Sequence, residues 1–232
     1  MERREFMIGC AAGLGCTAEA LAQTATGAAT PYRRALLVDT AGKPLRAREI
    51  PVRQNLLFHY PYVGTPAFLL NLGRPTAASS ALATARRGRY QWRGGVGQGR
   101  SIVAYSAICA HQMAYPTREI SFISFRTEAG PQNRSTDVIH CCAEHSQYDP
   151  ADGARVLAGP APQPLAAIVL EHEPQSDTLH AVAVQGGEMF DAFFAKYELR
   201  LTLEHGSRAR DRAGETCTVQ PLDQYCRQQV RC

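Results

Sequence analysis

The stretch His140-Cys141-Cys142-Ala143-Glu144-His145 sets two thiols and two imidazoles beside one another, and Cys109-Ala110-His111 repeats the combination upstream. Two pairs stand out, Cys109 with His111 and Cys142 with His145. In each, a sulfur and a ring nitrogen lie two or three residues apart at the end of a strand-like segment, so a tight loop can aim both the same way. Two such loops side by side assemble Cys₂His₂, a sufficient donor set for iron or zinc.

The elements that would carry these loops are mostly strands. Segment 101–109 (SIVAYSAIC) is a largely apolar strand that leads into the first pair. Segment 55–72 is rich in aromatic and long apolar residues interrupted by Pro61, Gly64 and Pro66, which reads as two short strands about a turn. Segment 166–184 divides into AAIVLEH and TLHAVAV around the turn EPQSD, and 35–38 adds a further strand. Only 188–197 (EMFDAFFAKY) has apolar residues at helical spacing over more than two turns. The expected architecture is mainly β, of small antiparallel sheets with one short helix near the C-terminus. Gly97 and Gly99 form no phosphate cradle, because a strand and not a helix follows them. His172, His180 and His205 are scattered over strands and turns, and read as half-buried or surface histidines.

Composition narrows the class. The chain has 232 residues, 45% of them hydrophobic, and its net charge of +4 comes from 25 basic against 21 acidic side chains. No basic run is dense enough to follow a phosphate backbone, so a nucleic-acid partner is not expected. The N-terminus reads as an address. Arg3-Arg4-Glu5-Phe6-Met7-Ile8, a short apolar run and Ala20-Leu21-Ala22 resemble a twin-arginine export signal cut before Gln23. The run carries Glu19 and many small residues, and falls short of the roughly 20 strongly apolar residues of a bilayer span. Export would place the protein in the periplasm, or on a membrane if the signal stays uncut. Of the eight cysteines, Cys10 and Cys16 belong to the signal, while Cys217, Cys226 and Cys232 close the chain as disulfide material, with Cys141 as a further candidate. The chain then divides into a signal or anchor (1–22), a lead-in (23–54), a metal-binding domain (55–205) and a cysteine-containing tail (206–232).

The two pairs, followed by Ser146-Gln147-Tyr148-Asp149 and by Gly159-Pro160-Ala161-Pro162-Gln163-Pro164-Leu165, resemble a Rieske iron–sulfur protein. That family carries C-x-H in one loop, C-x-x-H in a second, and a proline-rich third loop that covers the cluster. The resemblance spans 55–187. It implies a Rieske-type fold with a cluster-binding subdomain, and a 2Fe-2S cluster in which Cys109 and Cys142 hold the inner iron and His111 and His145 the outer one. Strand alternation is consistent with Cys142 and sends Cys141 to the opposite face, so Cys141 and His140 are expected as neighbours of the site and not ligands. Mixed thiolate and imidazole ligation raises the potential, and the ring nitrogens at the tip couple electron to proton uptake. The implied role is one-electron transfer as a subunit of a quinol-oxidising cytochrome complex or a periplasmic oxidoreductase. A cytochrome or larger redox complex is the implied partner, with quinol as a further one.

Departures from the family pattern matter. Ala114 and Glu144 stand where respiratory members have two cysteines joined as a brace between the loops, so that brace is missing. Segment 120–125 (ISFISF), inside a long interval between the pairs, is expected to pack beside the site in its place. Ser146 and Tyr148 have the right types to donate hydroxyls to the cluster sulfurs, but lie one residue nearer His145 than in the family pattern. Two other readings stay open. Structural zinc on the same four residues is one, and an accessory subunit whose metal site is only structural is the other.

Overall fold

Strands dominate because β-branched and aromatic residues alternate or run continuously between turn residues. The computed structural model describes residues 29–130 and 135–232. The arginine pair, the cleavage site, Cys10 and Cys16 lie outside the described residues. In chain order the strands are β1 (Thr30–Val38), β2 (Leu56–His59), β3 (Pro66–Asn71), β4 (Ser80–Ala83), β5 (Arg89–Trp92), β6 (Ile102–Ser106), β7 (Ile120–Ser121) and β8 (Ile123–Arg126). They continue as β9 (Val138–Cys141), β10 (Ser146–Asp149), β11 (Arg155–Ala158), β12 (Ala167–Glu173), β13 (Thr178–Gln185), β14 (Thr216–Thr218), β15 (Gln220–Pro221) and β16 (Gln228–Gln229). The α-helices are α1 (Phe190–Lys196), α2 (Glu198–His205) and α3 (Leu222–Tyr225).

An eight-stranded sheet runs β14-β1-β13-β12-β6-β3-β2-β15, and a four-stranded sheet runs β11-β10-β9-β8. Two-stranded ribbons pair β16 with β7 and β4 with β5. Most neighbours are antiparallel, whereas β1 with β14 and β7 with β16 are parallel. The mainly β expectation therefore holds, with one sheet larger than expected. Segments assigned from sequence to the lead-in and the tail supply β1, β14 and β15 to that sheet.

Burial follows sheet position. β6, between β12 and β3, is buried at every residue, as expected of a strand covered on both faces. β4 and β5 alternate buried and exposed residues and cover the core with one face only. Phe58, Phe68, Leu69, Tyr105 and Ile108 are almost wholly enclosed, each burial contributing about 2 kcal/mol. Tyr105 can be buried because its hydroxyl donates to the Pro150 carbonyl at 2.8 Å.

The C-terminal helical region is longer than its sequence pattern. After α1 the chain turns at Tyr197 and continues as α2, in which Leu201 is buried while Leu199 and Leu203 are 76% and 80% exposed. The apolar residues of α2 form no inward stripe, so the periodicity that marks α1 is absent from it. Among the described residues no helix is long and apolar enough to cross a membrane.

Candidate metal centre

The first loop leaves β6 and closes at once. Met113 N–H donates to the Cys109 carbonyl and Cys109 N–H to the Ala114 carbonyl, both at 2.9 Å, with Met113 at φ 59°. This turn holds Cys109 almost fully buried and leaves His111 only partly covered. The backbone of the next residue is held from outside, since Lys196 Nζ donates to the Gln112 carbonyl at 2.7 Å.

The second loop is the hairpin of β9 and β10. Ile139 faces Tyr148, His140 faces Gln147 and Cys141 faces Ser146. Opposed residues share a face and successive residues alternate, so Ile139, Cys141, Ser146 and Tyr148 line one side and His140 and Gln147 the other. The strand ends at Cys141, and residues 142–145 form the turn, which His145 closes at φ 57°. β8 supports β9 from its other edge, with Ile123 opposite Cys141. Of segment 120–125, residues 123–125 thus lie beside the hairpin in the neighbouring strand, while 120–121 pair with β16.

This register gives Cys141 and Cys142 different surroundings. Tyr148 accepts from the Ala110 N–H at 3.1 Å, which leaves its own proton for Cys109 Sγ at 3.3 Å. Cys141, on the same face as Tyr148, meets Cys109 thiol to thiol, and both are free and buried. Cys142 is placed differently. As the first residue of the turn it points elsewhere and forms a disulfide with Cys232. The alternation argument assumed that the strand continued through Cys142. Of the three cysteines read as disulfide material, Cys217 and Cys226 are free and buried, whereas Cys232 pairs with Cys142 across 90 residues of sequence.

The environment favours a thiolate at Cys109. The adjoining Cys141 thiol pulls its pKa down to about 6; burial opposes this, while the Tyr148 hydroxyl and the backbone N–H groups of His111 and Gln112 add to it. Cys141, which gives its proton to this contact and is buried, is pushed up. Burial, then the neighbouring Cys109, also holds Tyr148 in its protonated, donating form.

The imidazoles are placed differently. His111 Nδ1 is buried with no hydrogen-bond partner among the described residues. His145 is exposed at the tip, and its ring lies 5.8 Å from that of His140, centroid to centroid. Ligand atoms of His140, His145 and Cys232 fall within 4.8 Å of one another, but the sulfur of this group is committed to the disulfide. No three of Cys109, His111, Cys141 and His145 form so close a group among the described residues.

A third loop closes over the hairpin. Gly159 has φ 86°, and a Cβ there would lie 2.6 Å from the His145 carbonyl oxygen and from Ser146 Cα. Only glycine permits this approach. Ser146 beneath it is fully buried, and its Oγ has no partner among the described residues. Buried hydroxyls are nearly always paired, so this one, opposite the free thiol of Cys141, is a candidate donor to a bound group with acceptor atoms.

No protein-family model matches the chain. Among solved structures, the soluble domain of the Rieske protein II from Sulfolobus acidocaldarius is similar to it at 23% identity, covering 66% of this chain and 78% of that one, with a TM-score of 0.45.

Proposed function

We propose that Cys109, Cys141, His111 and His145 hold a 2Fe-2S cluster of the Rieske type and that the chain carries single electrons. The observation that supports this most is the meeting of Cys109 and Cys141 under the Tyr148 hydroxyl, with Ser146 Oγ left unpaired on the same face. Such a cluster supplies one-electron chemistry at potentials from about −150 to +300 mV. The buried thiols fit the inner iron of such a group. His111 offers a partnerless Nδ1, and His145 is the imidazole carried by the turn itself. Because the His145 ring rests against His140 here, it must leave that contact to serve as a ligand.

The remaining residues tune and seal the site. Tyr148 keeps its proton and donates to the Cys109 sulfur, which favours added negative charge and so raises the potential. Gly159 lets the third loop lie flush on the hairpin and exclude water from Ser146. The exposed tip with His145 is where electrons and protons would enter or leave. Export through the arginine pair, a periplasmic location and docking to a cytochrome or quinol-oxidising complex belong to this reading, and rest on the sequence features at 3–8 and 20–22.

Electron paramagnetic resonance combined with redox titration tests it. The expected result is two irons per chain and a signal that appears on one-electron reduction. A chain that takes up zinc but no iron, or whose iron gives no reducible signal, overturns the reading.

A further inference from the structure

We infer that the C-terminal tail is a covalent clasp on the turn that carries His145, with Cys142, Cys232 and Arg126 as positioning residues. The inference rests on the cluster reading above for its purpose, though not for its geometry.

The tail is guided to the hairpin step by step. Arg227 N–H donates to the Arg118 carbonyl at 2.9 Å, Gln228 N–H to Glu119 at 3.0 Å and Val230 N–H to Ser121 at 2.9 Å, so that β16 runs parallel along β7. Arg126, on β8, then donates from Nη2 to the Val230 carbonyl and lies 3.8 Å from Cys142 Sγ. At the end, the Cys232 sulfur is bonded to Cys142 and sits 3.5 Å from His140 Nδ1. His140 is fully buried on the face of the hairpin opposite Cys141. The tail therefore covers one face while the thiols, Ser146 and Tyr148 occupy the other.

The clasp acts where the hairpin is weakest. Ala143, Glu144 and His145 are exposed, and a turn without packed side chains opens readily. Cys142 begins this turn, and two attachments hold it: its N–H donates to the Phe122 carbonyl at 2.7 Å, and its sulfur is tied to the tail. Fixing Cys142 restricts the direction in which the chain departs from Cys141 and so the space that His145 can sample. Because the disulfide uses neither Cys109 nor Cys141, opening it loosens the turn without removing a donor from the thiol pair.

Hydrogen exchange on the full-length chain without iron reads this directly. In Cys232→Ser, amides of residues 141–148 are expected to exchange about tenfold faster than in the wild type, while those of β12 and β13 keep their rates. If that variant does not fold, the wild type treated with a water-soluble phosphine serves instead. The phosphine reduces the disulfide to two thiols and becomes the phosphine oxide, with oxygen and protons from water. The same local acceleration is expected. After iron–sulfur reconstitution, Cys232→Ser should take up iron and lose it faster than the wild type. Unchanged exchange at 141–148 after the disulfide is opened, or peptide mapping that finds Cys142 and Cys232 as free thiols in the oxidised chain, overturns the clasp. Failure of the wild type to bind iron overturns the cluster reading alone and leaves the exchange result standing.

Discussion

The two faces of the β9–β10 hairpin differ in what completes them. On one, His140 is buried against the tail, and the neighbouring turn residue Cys142 is tied to Cys232. On the other, Cys109 and Cys141 meet as free thiols, and Ser146 Oγ is buried without a partner. One face is finished by the chain itself, and the other is the one to which the proposed reading assigns the cluster. Adjacent cysteines thus have different partners, set by the side of the strand end on which each falls.

The largest test of this contrast exchanges the two cysteines. Cys141→Ser is expected to abolish iron binding and the resonance signal after reconstitution, whereas Cys142→Ser keeps the signal. The reverse outcome, measured by iron content and spectroscopy, would break the comparison outright. A smaller effect is expected from Gly159→Ala, which places a Cβ against the hairpin backbone at positive φ. Strain of this kind costs about 3 kcal/mol, to be read as a lower denaturant midpoint of the iron-free chain. An unchanged midpoint would mean that the third loop is not seated on the hairpin. The smallest effect sharpens the picture of the thiol face. Tyr148→Phe removes the hydroxyl from the Cys109 sulfur and should lower the reduction potential. A differential hydrogen bond of about 1.4 kcal/mol corresponds to about 59 mV for one electron. A potential that does not fall on redox titration would show that Tyr148 serves the fold alone.

Much of the site was legible in the residue types. A thiol and an imidazole close together, repeated, marked two places as candidate donor loops, and Tyr148 and the proline-rich loop stood out beside them. What was not legible is the last residue of β9. The side-chain period of a strand is two, so moving its end by one residue changes which cysteine faces inward, and no local propensity in His140-Cys141-Cys142 distinguishes the two ends. The tail bridge was hidden for a different reason. Its partners are 90 residues apart, and their meeting depends on β16 finding β7. The second helix was missed because Leu199 and Leu203 face outward and spoil the apolar period.

The amino-acid sequence by itself determined the mainly β character and the supply of sulfur and imidazole donors at two loop-like places, because composition and short-range spacing are local properties. Only the tertiary structure decided that Cys141 meets Cys109, that Cys142 takes Cys232 as its partner, and that segments read as lead-in and tail complete the large sheet. Those outcomes depend on strand register and on pairing between distant segments, which no stretch of neighbouring residues encodes alone.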